Sequence, residues 1–179
     1  MNLNRILIFG GSGLLGSCFK KTYKNKVITL GRSSNNDIVF DKKNIKDKIV
    51  KIYKPGDILI HAAWEIKLSA WENNKHLEND LYDLSNSIFS ICKCINLPYV
   101  FISSDQVYAG IGPHSENEHN IPINQYGRSK KFVEDNALSF GGSVIRLNFL
   151  SMDPQNRKRG WVEKLIEVRK KEKFLELYE

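Results

Sequence analysis

Five short apolar runs rich in Val, Ile and Phe recur along the chain, at Arg5 to Phe9, Val27 to Leu30, Asp57 to His61, Tyr99 to Ser103 and Ser143 to Leu147. Each is of strand length, and the segments between them carry apolar residues at three- to four-residue steps. That spacing predicts helices over Leu14 to Lys24, Asn44 to Lys54, Asn74 to Ile95 and Gln125 to Phe140. Pro55 and Gly56 stop the second, and Gly141 and Gly142 stop the last. Strand and helix in repeated alternation imply right-handed crossovers, hence an α/β fold whose parallel sheet is covered on both faces. Such a sheet binds ligands at the carboxyl ends of its strands. After Leu150 the pattern changes: SMDPQNRKRG reads as a loop, Trp161, Leu165 and Val168 as one face of a further helix, and FLELY as a final strand.

The first apolar run empties into glycines, RILIFGGSGLLG from Arg5 to Gly16. A glycine loop between a first strand and a first helix allows a tight turn, close approach of backbone to a pyrophosphate, and close packing of helix on strand. The helix N-terminus then aims free N–H groups and its positive dipole end at the phosphates. At this junction the loop predicts a Rossmann-type, doubly wound sheet in a single domain, with a dinucleotide as cofactor. A Walker A loop is excluded, because Gly-Lys-Ser/Thr is absent. In an NAD-binding fold the second strand ends in an acid that accepts from the adenosine ribose. Here the chain reads VITLGRSSNN, with Arg32 at that place and Ser33 and Ser34 beside it. A guanidinium and hydroxyls suit a 2′-phosphate, so NADP(H) is expected in preference to NAD(H).

Composition narrows the remaining classes. The 179 residues, 41% hydrophobic, suffice for one core. No apolar run approaches the roughly 20 residues of a membrane helix, and MNLNR leads directly into a strand pattern without a signal-peptide cleavage region. No membrane partner is expected, and the expected compartment is cytoplasmic. Cys18, Cys92 and Cys94 have no zinc spacing, so no metal site is expected. The net charge is +7, but Glu163, Glu167 and Glu172 interrupt the densest basic cluster at helical spacing. A solvated amphipathic helix accounts for that cluster, and no nucleic-acid partner is expected.

Two later stretches carry chemistry. FISSDQVYAG leaves the fourth strand, and NQYGRSKKFVED opens the next helix with Tyr126 and Lys130 four residues apart on one face. A nearby ammonium is expected to lower the Tyr126 pKa and make it a proton donor and acceptor, while Ser104 orients the same substrate oxygen. Lys130 can also hold a cofactor ribose. With GGSGLLG, HAA at His61 to Ala63, SSDQVYAG and YGRSK in this order, residues 5 to 150 resemble the extended short-chain dehydrogenase/reductase family. The resemblance is greatest to its dTDP-4-dehydrorhamnose reductase-like and nucleotide-sugar epimerase branch.

The resemblance implies a catalytic triad of Ser104, Tyr126 and Lys130. It implies a phosphate loop on Gly10, Gly13 and Gly16, with Ser12, Leu14 and Leu15 among the cofactor contacts and Gly11 in a slot that tolerates small residues. It also implies that Ala62 and Ala63 line the cofactor and that Asp41 contacts adenine, beside the Arg32 and Ser33 already read at the end of the second strand. His61 is expected to be a packing position. Dehydratases of this family carry Asp-Glu after the Ser/Thr, whereas this chain has Asp105 and Gln106. An amide cannot accept the proton that elimination requires, which disfavours dehydration.

The expected function is NADPH-dependent reduction of a keto group on a nucleotide-linked sugar. Epimerisation through the same triad, or cofactor binding without turnover, are the alternatives. Residues 1–150 are expected to form the cofactor domain and 151–179 the start of a truncated substrate-binding lobe. Trp64 and Trp71 either help floor an open sugar site or pack. A homodimer, or a separate partner chain, is one way of completing the substrate pocket.

Overall fold

The computed structural model describes residues 4–41, 43–64, 76–118, 121–148 and 161–170. Strands β1 (Ile6–Phe9), β2 (Val27–Gly31), β3 (Ile38–Val39), β4 (Ile58–His61), β5 (Tyr99–Ser104) and β6 (Ser143–Leu147) form one sheet in the order β3-β2-β1-β4-β5-β6. Every neighbouring pair is parallel. The helices are α1 (Leu14–Tyr23), α2 (Ile45–Ile52), α3 (Leu77–Cys94), α4 (Gln125–Ser139) and α5 (Trp161–Lys170). This is the doubly wound α/β fold that the alternation predicts. The two-residue β3 is the one strand it does not reveal, being too short to show a period. Asn74, the loop read over 151–160 and the FLELY strand lie outside the described residues.

All four side chains of β1 are buried, because the sheet is covered on both faces. Leu7 and Phe9 point into a core shared with Leu30, Leu59 and Phe101, which α2, α3 and α4 close with Ile45, Ile49, Ile88, Phe89, Val133 and Ala137. Ile6 and Ile8 point the other way, to Val27, Ile60 and Ile102, where Leu15 and Phe19 of α1 pack. Each fully buried Leu, Ile or Phe is worth roughly 1.5–3 kcal/mol, so these two layers dominate the hydrophobic stabilisation.

β1 is the hinge of the topology. It pairs with β2 on one side and β4 on the other, so the winding reverses at its carboxyl end. Phe9 stands opposite both Leu30 and His61 there, and Gly10 follows directly. At the opposite end of the same strand, Arg5 Nη2 donates to Asp57 Oδ2 at 2.6 Å and to the Ile52 carbonyl at 2.6 Å, while Nε donates to Asp57 Oδ1 at 3.1 Å. The Asp57 carboxylate is fully buried and takes a further bond from Lys54 N at 2.8 Å. This two-pronged pair ties the start of β1 to the α2–β4 connection.

Candidate active site at the carboxyl edge of the sheet

The turn after β1 is fixed by close approach on two sides. Gly10 adopts φ +89°, and a Cβ there would stand 2.8 Å from Ala63 N. Ala62 and Ala63 therefore lie against the turn, with Ala62 N donating to the Phe9 carbonyl at 2.9 Å. A Cβ on Gly16 would stand 2.5 Å from Gly11 Cα, so the first turn of α1 rests on the loop backbone. Gly13 differs: a Cβ there would meet only the Gly10 carbonyl, at 3.1 Å. Gly13 is also the N-cap of α1, which has no side-chain cap and no acid in its first turn. An uncapped helix start beside an open backbone is what a phosphate requires. Ser12, Leu14 and Leu15 are half-buried around it, Leu15 packing into the core.

Gly11 corrects the sequence reading. It is not in a slot that tolerates small residues, since a Cβ there would run into the Thr29 side chain and stand 2.8 Å from Asn36 Oδ1. The constraint comes from β2 and the loop beyond it. That loop leaves Arg32 and Ser33 exposed at the end of β2. The acid that follows, Asp37, faces back toward the strand. Its Oδ2 accepts from Thr29 N at 2.9 Å and Thr29 Oγ1 at 2.8 Å, and its Oδ1 pairs with Lys20 at 2.8 Å. Asp41 lies in the turn before α2: its Oδ1 accepts from Lys43 N at 2.8 Å and Asn44 N at 2.9 Å, and Asn44 Oδ1 accepts from Asp41 N at 3.0 Å. The Asp41 carboxylate is thus engaged in local turn bonds.

Ser104, Tyr126 and Lys130 converge at the ends of β5 and α4. Ser104 closes β5; its Oγ donates to Asp105 Oδ1 at 2.9 Å and accepts from Gln106 N at 3.3 Å. Asn124 caps α4, its Oδ1 accepting from Gly127 N at 2.7 Å, which starts the helix one residue before Tyr126. Tyr126 and Ser104 share a hydrogen bond. Lys130 Nζ, almost wholly buried, donates to the Ile102 carbonyl at 2.8 Å and lies 4.6 Å from the Trp64 ring centre, 4.7 Å from Phe101 and 5.8 Å from Tyr126.

The electrostatics reverse one expectation. Burial raises the Tyr126 pKa above the usual phenol value and Asp105 adds to the rise, while the Ser104 hydrogen bond opposes it. Burial lowers Lys130 from 10.5 to about 7, against the upward pull of Glu134. The ammonium therefore does not bring the phenol down. A buried lysine loses charge before it can stabilise a phenolate, and its Nζ faces a carbonyl and aromatic rings.

A family model described as the RmlD substrate binding domain matches residues 4–178. The chain belongs to that family. Its curated relatives include the ADP-L-glycero-D-manno-heptose-6-epimerase of Alkalilimnicola ehrlichii, 24% identical over 90% of this chain and 57% of that protein. They also include the dTDP-4-keto-6-deoxy-D-glucose reductase of Streptomyces niveus, 26% identical over 82% of this chain and 53% of that protein. The RmlD-family chain thus spans a little over half the length of these relatives. Among solved structures, MoeE5 in complex with UDP-glucose and NAD superposes with a TM-score of 0.72 at 22% identity, covering 92% of this chain and 60% of that one. The resemblance and the fold drawn from the motifs are both borne out. No described helix is long and apolar enough to cross a membrane.

Three features of the RmlD-family site are not evident from the motifs. Trp64 packs against His61, Phe101 and Lys130, which is the packing alternative; Trp71 lies outside the described residues. His61 is buried as expected, with Nδ1 2.7 Å from the Tyr99 hydroxyl, and burial and then the Lys130 charge lower its pKa to about 3, against an opposing Ala63 backbone bond. It is a neutral packing residue. The second feature is a buried ion pair below Lys130, where Arg146 donates to Glu134 Oε1 at 3.0 Å and Oε2 at 2.7 Å and to the Tyr108 hydroxyl at 2.7 Å. It links α4, β6 and the loop after Ser104; the four-residue step from Lys130 to Glu134 is the only signal of it in the sequence. The third, Asn36, is buried in an exposed loop and has no signal there at all.

Proposed function

We propose that the chain is the cofactor-binding and proton-transfer half of an NADPH-dependent reductase acting on a keto group of a nucleotide-linked sugar. The observation that carries this reading is the meeting of Ser104, Tyr126 and Lys130 at the carboxyl edge of the sheet that holds the glycine loop at its switch point. Gly13 and the uncapped start of α1 fit a pyrophosphate, and the exposed Arg32 and Ser33 fit a 2′-phosphate. Ala62 and Ala63 border the same turn, and Lys130 is the candidate for holding a ribose. When bound, the nicotinamide supplies hydride.

The remaining chemistry belongs to the chain's own side chains. A phenol whose pKa is raised by burial keeps its proton at neutral pH, so Tyr126 Oη is set up to protonate the oxygen of a reduced carbonyl. Ser104 Oγ, once its proton turns away from Asp105 Oδ1, would hold that oxygen beside Tyr126. Lys130, lowered to about 7, can return a proton to Tyr126 after transfer. Gln106 is engaged through Oε1 with Asn124 Nδ2 at 3.0 Å and offers no base for elimination. Residues 1–150 would form the cofactor domain and 151–179 the beginning of a substrate-binding lobe.

Epimerisation is the second reading, favoured by the heptose epimerase among the relatives. It begins by removing a proton from the sugar hydroxyl, which the raised Tyr126 pKa disfavours. NADPH absorbance followed with a panel of 4-keto nucleotide sugars separates the readings. Sugar-dependent oxidation of NADPH, lost in Tyr126→Phe, is expected. A folded, cofactor-saturated sample that turns over no sugar overturns the enzymatic reading. Interconversion of the two 4-epimers of a 4-hydroxy nucleotide sugar by the NADP+-loaded protein, with no net change in NADPH and no oxidation of NADPH by the 4-keto sugars, replaces reduction with epimerisation.

A further inference from the structure

The loop after β2 is held by a side chain that no motif contains. Asn36 is only 7% exposed, although Arg32, Ser33, Ser34 and Asn35 are all exposed. Its amide lies in the space of two absent side chains. A Cβ on Gly31 would stand 2.7 Å from Asn36 Cγ, and one on Gly11 would stand 2.8 Å from Asn36 Oδ1. Chemistry fixes which way the amide points. One end lies 2.9 Å from the Ser33 carbonyl oxygen, which can only accept, so that end is the NH2. The same nitrogen also donates to Ser33 Oγ at 2.9 Å.

The consequence falls on Ser33. Its hydroxyl accepts from Asn36 on the inner side, which leaves its single proton to donate elsewhere, and Ser33 is exposed. Asn36 Oδ1 is buried and accepts no hydrogen bond among the described residues. An unpaired buried amide oxygen is destabilising, so packing alone does not account for an amide at position 36. The nearest acid does not compete for the Ser33 proton either, since both oxygens of Asp37 are engaged by Thr29 and Lys20.

We propose that Asn36 is a positioning residue for cofactor choice: it turns Ser33 Oγ outward as a hydrogen-bond donor, so that Ser33 and Arg32 together receive a phosphate monoester on the adenosine ribose. The inference rests on the reading of the glycine loop as a nicotinamide-dinucleotide site. A phosphate dianion presents acceptors and gains from outward donors, whereas an unmodified ribose hydroxyl gains most from an acceptor at this place. Gly11 and Gly31 belong to the same device, because a side chain at either would displace the amide.

Calorimetric titration of NADPH and NADH into the wild type, Asn36→Ala, Ser33→Ala and the double variant tests it. Each single variant is expected to weaken NADPH about tenfold, the worth of one charge-assisted hydrogen bond, and NADH less than about twofold. The double variant is expected to be no weaker than either single one, because Asn36 acts through Ser33. Equal weakening of both dinucleotides by Asn36→Ala, or effects that multiply in the double variant, overturns the proposal. Should Asn36→Ala not fold, Asn36→Asp keeps the size and draws the Ser33 proton inward. Its loss of NADPH affinity must vanish in the Ser33→Ala background, and a loss that persists there is plain charge repulsion and overturns the role. A wild type that binds neither dinucleotide defeats the cofactor reading itself, and this role with it; intact NADPH preference in every Asn36 variant defeats only the role.

Discussion

The two ends of the sheet treat buried charge in opposite ways. At the amino edge, Asp57 is fully buried and met by two Arg5 bonds and the Lys54 backbone N–H. At the carboxyl edge, Lys130 is as deeply buried but has one carbonyl and three aromatic faces in place of a counter-ion, and Glu134 nearby is committed to Arg146. The amino edge is organised to keep its charges, and Arg5 stays firmly protonated because Asp57 bonds it. The carboxyl edge is organised so that protonation can change near neutral pH. The difference is one between a charge that is paired and a charge that is desolvated without a counter-ion, within a single layer of strands.

Substitutions can break this contrast. The largest expected effect is on turnover: Tyr126→Phe is expected to lower it by about 10²- to 10⁴-fold while leaving the melting temperature and the NADPH dissociation constant nearly unchanged. Steady-state kinetics beside a thermal scan checks both halves. Next comes Arg5→Met, which strands the Asp57 carboxylate in the core. It is expected to cost about 3 kcal/mol, seen as a fall in Tm of roughly 6–12 °C, with cofactor affinity intact. A matching loss of NADPH binding would show that the two edges are not independent.

Gly11→Ala is expected to cost about 1–3 kcal/mol through overpacking against Thr29 and to weaken dinucleotide binding as well, since it disturbs the loop from below. Denaturant titration and calorimetry measure the two effects. Lys130 gives a signature in pH. Its folded pKa lies below its ordinary 10.5, at about 7, so between these values the unfolded chain binds more protons. The penalty for burying its charge is full below pH 7 and is relieved as pH rises toward 10.5. Wild type should therefore gain stability on Lys130→Met between pH 7 and pH 10, and a gap independent of pH would mean that Lys130 is not held in a low-dielectric cage. The smallest effect belongs to the exposed pair of Lys131 and Asp135, where Lys131→Ala should change stability by no more than about 0.5 kcal/mol.

Much of the architecture is legible without the structure, because continuous apolar runs mark strands covered on both faces and a period of 3.6 marks helices buried on one. The strand at Ser143–Leu147 has the expected limits, and α4 ends at Ser139, one residue before its expected end. α3 begins at Leu77, three residues after the spacing puts it, because a helix start is set by capping and tertiary contacts that periodicity does not carry. The site is legible as a set of residues and opaque as an electrostatic arrangement. Spacing puts Tyr126 and Lys130 on one face, but the direction of the Tyr126 shift depends on how far Lys130 is desolvated and where its Nζ turns. Gly11 is misjudged for the same kind of reason: the atoms that forbid a side chain there belong to Thr29 and Asn36, on another strand and another loop.

By itself, the sequence determined the alternation of strand and helix, the glycine turn at the first junction, and the candidates Arg32, Ser104, Tyr126 and Lys130. These are local matters, written in periodicity, in glycine's freedom and in side-chain chemistry. Only the tertiary structure decided that Gly11 must be a glycine, that Asn36 fills the gap beside it and donates to Ser33 Oγ, and that Lys130 sits among aromatic rings with its pKa lowered by burial. Those outcomes depend on contacts between segments far apart in the chain, and on the low dielectric that their packing creates.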